Sequence, residues 1–161
     1  MNSQTSGTEP AFRQVATFRV AGNYFGLPVE EGQGVLRHQQ MKPVPLRPPV
    51  VEGLINLRGQ IVTALDLRTR LGLPTRPAGE TAMNLVVKSD HSAPVSLLVD
   101  SVGDVLPLEH TNLEETPENV NAVTRALLAG VYKLDGELLL LLDRAKALAV
   151  TAPAQNDRRL F

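Results

Sequence analysis

The chain has 161 residues, 43% of them hydrophobic and 20% charged, with a net charge of −1. That is enough for a buried core, and it includes no basic block to hold nucleic acid or an anionic membrane surface. Cysteine is absent, which excludes disulfides, thiolate nucleophiles and thiolate metal sites.

The opening MNSQTSGTEP is polar, unlike a signal peptide, and no stretch approaches the roughly 18 apolar residues of a membrane span. A cytoplasmic home is expected, with residues 1–11 disordered. QVATFRVAG (14–22) alternates apolar and polar residues, the pattern of a half-buried strand that ends at a glycine turn. YFGLPV (24–29) and GVLR (34–37) read as a weakly pairing strand pair, and the EGQG between them as a bulge or a close backbone approach. MKPVPLRPPV carries four prolines in ten residues, which forbids helix and central strand and leaves an extended connector. VEGLINLRGQIVTALDLRTRLG (51–72) reads as strand, turn, strand and short helix. MNLVVKS, VSLLVDSV and DVLPL are further strands, and HTNLEETPENVNAVT is a polar loop with room for one helical turn. LLAGVYKLDGELLLLLD (127–143) is a hairpin about Asp135-Gly136, followed by a short helix in DRAKALA and a loose tail from 151 to 161.

An internal repeat organises these segments. At an offset of 77, Gly53 meets Gly130, Leu57 meets Leu134, Gly59 meets Gly136, Leu65 meets Leu142 and Asp66 meets Asp143. At an offset of 70, Val29-Glu30 meets Val99-Asp100 and Val35-Leu36 meets Val105-Leu106. The halves share one plan, and the expected fold is all-β: two small packed units, for which short closed barrels are the natural solution. In the repeat Arg58 fills the slot of Asp135. A type I′ turn needs positive φ at both central residues, which costs an arginine of order 1 kcal/mol. That strain hints that the side chain is wanted at the tip; the alternative is a solvated charge.

Reactive chemistry is sparse. Asp66 and Asp143 each precede a short helical pattern, so N-capping explains both better than catalysis does. His38, His91 and His110 lie far apart in polar turns, without metal-ligand spacing. GQG at 32–34 lacks the lysine and the strand–helix setting of a phosphate loop. With neither a catalytic nor a cofactor fingerprint, a binding module is favoured over an enzyme, with no cofactor or metal expected.

The stretch PPVVEGLINLRGQIVTALDLRTRLG resembles the N-L-R-G…D-L-R signature of CheW, the coupling protein of bacterial chemotaxis. LLVDSVGDVLPL resembles the family's V-D-x-V segment and GVYKLDGELLLLLD its late hairpin, so the resemblance runs from about Gln14 to Ala149. It implies two intertwined five-stranded barrels like those of Src-homology-3 domains, with short helices, in one domain over 12–150. It also implies a non-enzymatic adaptor between the cytoplasmic tips of chemoreceptors and the regulatory domain of a CheA-type histidine kinase, recruited to membrane-associated arrays. Carried over residue by residue, the partner-binding positions are Gly53, Asn56 and Arg58 on the N-L-R-G segment, Val102 and Val105 on a strand lining the receptor side, and Asn84 at a strand entry there. Val102 and Val105, three apart, reach one face only if Gly103 supplies a bulge. The chain departs from the family where Gly34 replaces a usual glutamate partner of the signature arginine, Gly32 an apolar residue, and Thr63 a proline. Two rival readings are a ligand- or peptide-sensing regulator of the same fold and a hydrolase using Asp66 or Asp143 with a histidine.

Overall fold

A computed structural model describes residues 11–37, 39–90 and 93–149. The expectations for the terminal segments 1–10 and 151–161, and for His38 and His91, lie outside the described residues. Ten strands and three short helices follow one another: β1 (Phe12–Val20), β2 (Asn23–Pro28), β3 (Gly32–Leu36), β4 (Val51–Leu57), β5 (Gln60–Asp66), α1 (Leu67–Arg70), β6 (Met83–Val87), β7 (Val95–Val99), β8 (Ser101–Glu109), α2 (Ala122–Arg125), β9 (Leu128–Leu134), β10 (Glu137–Leu142) and α3 (Arg144–Leu148). They form two five-stranded sheets, ordered β8-β1-β2-β10-β9 and β3-β6-β7-β5-β4. The fold is all-β, as expected, and the sheets are intertwined Src-homology-3-like barrels.

The repeat is realised strand for strand, but by exchange. In both sheets the order of repeat units is third, first, second, fifth, fourth. In each sheet repeat units one and two come from one half of the chain and units three, four and five from the other. The chain changes sheet twice, between β2 and β3 and between β7 and β8. Each half supplies part of both barrels, which is the intertwining that the resemblance implied. The seams are parallel pairings, β2 with β10 and β5 with β7, which a chain cannot make through a tight hairpin. The anticipated pairing of 24–29 with 34–37 is likewise absent. A 3₁₀ turn at Val29–Glu31 swings the chain across, and β3 pairs with β6 instead. VSLLVDSV and DVLPL divide elsewhere than expected: β7 ends at Val99, Asp100 bends the chain, and β8 runs unbroken through Val102 and Leu108.

Registers repeat too. In β4/β5 Gly53 faces Ala64 and Val51 faces Leu65, with Glu52 bulged out; in β9/β10 Gly130 faces Leu141 and Leu128 faces Leu142, with Ala129 in the same role. A shared core joins the inner faces of the two sheets: Phe18, Val20, Phe25 and Leu27 from one meet Leu65, Leu85, Leu97 and Val99 from the other. Phe18 and Phe25 stack at 5.8 Å between centroids. Each such buried side chain contributes about 1.5–3 kcal/mol by burial. The opposite face of β1 contributes Val15 to a second cluster with Tyr132, Leu139 and Leu141. Cover on both sides explains why β1 buries Thr17 as well as Phe18.

Candidate functional site

The N-L-R-G segment closes the β4–β5 hairpin. Arg58 and Gly59 have φ of 55° and 85°, so both central residues are left-handed, as a type I′ turn demands. Its counterpart differs: of Asp135 and Gly136 only the glycine has positive φ, 84°. The strain therefore falls on the arginine and not on the better-suited aspartate. Asn56 accounts for this locally. Its Oδ1 accepts a hydrogen bond from the Gly59 N–H at 2.8 Å, and Lys133 holds the matching place in the other hairpin. The Arg58 side chain is exposed and forms no ion pair among the described residues. It borders a cleft of about 400 Å³ between the hairpin tip and β3. Gly34 sits on the opposite wall, in a strand bulged between Gly32 and Gly34 as the EGQG reading anticipated.

Gly53 and Asn84 lie inside. A Cβ at Gly53 would stand 2.7 Å from the Lys42 carbonyl oxygen, because the proline-rich connector crosses β4 there through the Lys42–Leu54 bridge. Gly130 meets the Glu114 carbonyl in the same way, at 2.6 Å. Asn84 is fully buried in β6; its Oδ1 accepts from Ser96 Oγ at 2.7 Å and its Nδ2 donates to the Arg37 carbonyl at 3.2 Å, tying the end of β3 to its sheet. These two residues shape the surface from beneath.

Val102 and Val105 do share a face. Val102 pairs with Phe18 and Val105 with Ala16, and the intervening Gly103-Asp104 bulges opposite Thr17. Thr17 Oγ1 donates to the Asp104 carbonyl at 2.6 Å, and a Cβ on Gly103 would meet that hydroxyl at 2.7 Å. Both valines thus lie on the sheet face that packs toward the shared core. Val102 packs against it, while Val105 is 52% exposed at its margin.

Beneath the D-L-R segment lies a charged lattice that the sequence reading missed. Asp66 caps α1: Oδ1 accepts from the Arg68 N–H at 3.2 Å and Oδ2 from Thr69 Oγ1 at 2.9 Å. Asp143 caps α3 through the Lys146 N–H at 3.1 Å. Arg68 folds back as a fork onto Asp100, at 3.1 and 2.6 Å. Asp100 also accepts from the Ala21 N–H at 2.7 Å and pairs with Arg76 at 3.3 Å. Burial opposes the Asp100 charge, but Arg68, the Ala21 N–H and Arg76 outweigh it and hold the carboxyl below its ordinary value. At the matching crossing, Arg144 stands 4.0 Å from Glu31, whose carboxyl is pushed up by burial. Arg68 and Asp100 are 32 residues apart, with no local pattern to link them. The hint was that both sheet-crossing segments carry an acid, Glu30-Glu31 and Asp100.

Three comparisons bear on this geometry. The family model for the CheW-like domain matches residues 14–151. A chemotaxis protein CheW of Rhizobium meliloti (strain 1021) is 28% identical over 132 residues, covering 81% of this chain and 84% of that protein. One of Bacillus subtilis (strain 168) is 29% identical over 131 residues, covering 81% and 83%. Among solved structures, the scaffolding protein TtCheW from Thermoanaerobacter tengcongensis superposes with a TM-score of 0.72 at 26% identity, covering 81% of this chain and 88% of that one. With ten strands in two interlocked sheets and the family model spanning both, the chain belongs to the CheW-like family.

Proposed function

We propose that this chain is a non-enzymatic adaptor that couples the cytoplasmic tips of chemoreceptors to the regulatory domain of a CheA-type histidine kinase. The family match across both barrels carries this reading. The state of the two carboxylates the sequence offered for acid–base chemistry adds support, since Asp66 and Asp143 are engaged as helix caps. The β4–β5 hairpin, with Arg58 at its tip and Asn56 bracing it, is the kinase-facing element. The margin of the shared core at Val102 and Val105 takes the apolar face of a receptor helix. Gly53 and Asn84 hold these surfaces in shape. The working unit spans 12–150, and association with the membrane comes through the receptor; among the described residues no helix is long and apolar enough to cross a membrane.

The test is calorimetric titration of the chain with each of two purified fragments from the same organism, the kinase regulatory domain and the receptor tip, followed by sedimentation of all three together. The adaptor reading expects two binary complexes and one ternary species. Binding to neither fragment refutes it.

A further inference from the structure

The cleft beside Arg58 carries an inference about what enters it. One wall is formed by residues 33–36 of β3, the other by Leu57, Arg58 and Gln60, and Val86 of β6 also lines it. Arg58 is the single charged residue among these; the rest are apolar or neutral. An entering anion therefore meets one cation and no competing acid. β3 is an edge strand whose ladder partner is β6, so its outer edge is open toward an incoming chain.

Among the described residues no acid neutralises Arg58. Glu31, on the approach to β3, stands instead by Arg144, and Glu30 makes no ion pair among the described residues. Gly34 leaves its wall bare, and a Cβ there would meet no atom within 4 Å. The sister hairpin shows the contrast. Glu137, matching Gln60, is held in a fork by Arg19 at 2.8 and 2.9 Å, and Arg19 also covers the Tyr24 ring at 4.2 Å. The sister hairpin has its Glu137 paired by Arg19; the first hairpin keeps a cation without an ion pair among the described residues on a braced turn, with an open cleft beside it.

We propose that this cleft receives an aspartate or glutamate side chain of the kinase regulatory domain, which ion-pairs with Arg58. The proposal rests on the adaptor reading for the identity of that protein. A guanidinium suits a carboxylate because its donors match the two oxygens as a fork. One cation with only the neutral amides of Gln33 and Gln60 beside it suits a carboxylate better than a phosphate, whose three oxygens and higher charge call for several charged donors. Pre-organisation adds to the fit, since the Asn56–Gly59 bond fixes the turn before the partner arrives.

The experiment compares wild type with Arg58→Ala, Gly34→Glu and Gly34→Gln against the two fragments named above, by calorimetry at two salt concentrations. Arg58→Ala weakens the kinase regulatory domain about tenfold and flattens its salt dependence, while the receptor tip binds as to wild type. Gly34→Glu weakens the same partner comparably, because its carboxylate occupies Arg58, while the equally large neutral Gly34→Gln stays within about threefold of wild type. Unchanged affinity in Arg58→Ala, or equal losses in Gly34→Glu and Gly34→Gln, overturns the proposal. If neither fragment binds wild type, the adaptor reading fails on its own, and the cleft is decided in the free protein. By NMR, the carboxylate introduced by Gly34→Glu must titrate at lower pH with Arg58 present than in the Arg58→Ala background. Identical titration in the two backgrounds overturns the cleft as a carboxylate site.

Discussion

Asp66 and Asp143 occupy matching positions of the repeat but carry different loads, and their alanine variants measure the difference. Asp143 supplies one cap hydrogen bond, from the Lys146 N–H. Its loss costs about 1 kcal/mol, which lowers the melting midpoint of a chain this long by about 2–4 °C. Asp66 supplies the cap bond to Arg68, accepts from Thr69 Oγ1, and stands 3.7 Å from Arg76 while itself buried. A second hydrogen bond adds about 1 kcal/mol, and loss of the longer of Arg76's two carboxylate contacts, its nearer one to Asp100 remaining, adds a little more, so Asp66→Ala costs about 2–3 kcal/mol in total. The expected drop is about 5–10 °C. Asp143→Ser recovers nearly all of the loss at its site. Asp66→Ser recovers the cap but not the Thr69 and Arg76 contacts, or about half. Scanning calorimetry with urea titration at unchanged m-value is the assay. Equal losses at the two sites, or an unchanged melting curve for Asp66→Ala, would refute the capping and lattice account.

Gly53→Ala and Gly130→Ala each press a methyl group against a carbonyl oxygen, at 2.7 and 2.6 Å, and lower stability by about 1–3 kcal/mol in urea titrations. The folded pKa of Asp100 lies below its unfolded value, so its contribution is complete above the unfolded value and is lost as pH falls through the folded one. Asp100→Asn is therefore less stable than wild type at neutral pH, and the gap narrows below about pH 4 in pH-dependent melts. Val105→Asp, at a half-exposed margin, leaves the melting temperature within about 2 °C and weakens the receptor-tip fragment but not the kinase fragment. A matching loss toward both, with a lower melting temperature, would make Val105 a packing residue.

What the sequence disclosed was mostly local. The Asp135-Gly136 hairpin, the two aspartate caps, the bulge at Gly103 and the common register of the two hairpins depend on neighbours a few residues away, and their residue types report them. The strand exchange left no such trace. A strand buried on both faces has the same apolar pattern whichever half of the chain lies beside it, so the residue pattern alone did not show the β2–β10 and β5–β7 seams, and the intertwining was expected only through the family resemblance. Among the site residues, Arg58 could be placed at a turn tip, but its left-handed backbone could be explained only through the Asn56 side chain. The burial of Asn84 beneath Ser96 and the Arg37 carbonyl follows from a meeting of β3, β6 and β7 that sequence spacing does not encode.

The central claim is coupling, and reconstitution tests it directly. The histidine kinase and receptor fragments assembled on a membrane template are assayed for autophosphorylation with and without this chain. The account predicts receptor-dependent control of kinase activity only when the chain is present, and a weaker effect with Arg58→Ala. Receptor control of the same size without the chain, or none after its addition although both binary complexes form, would contradict it.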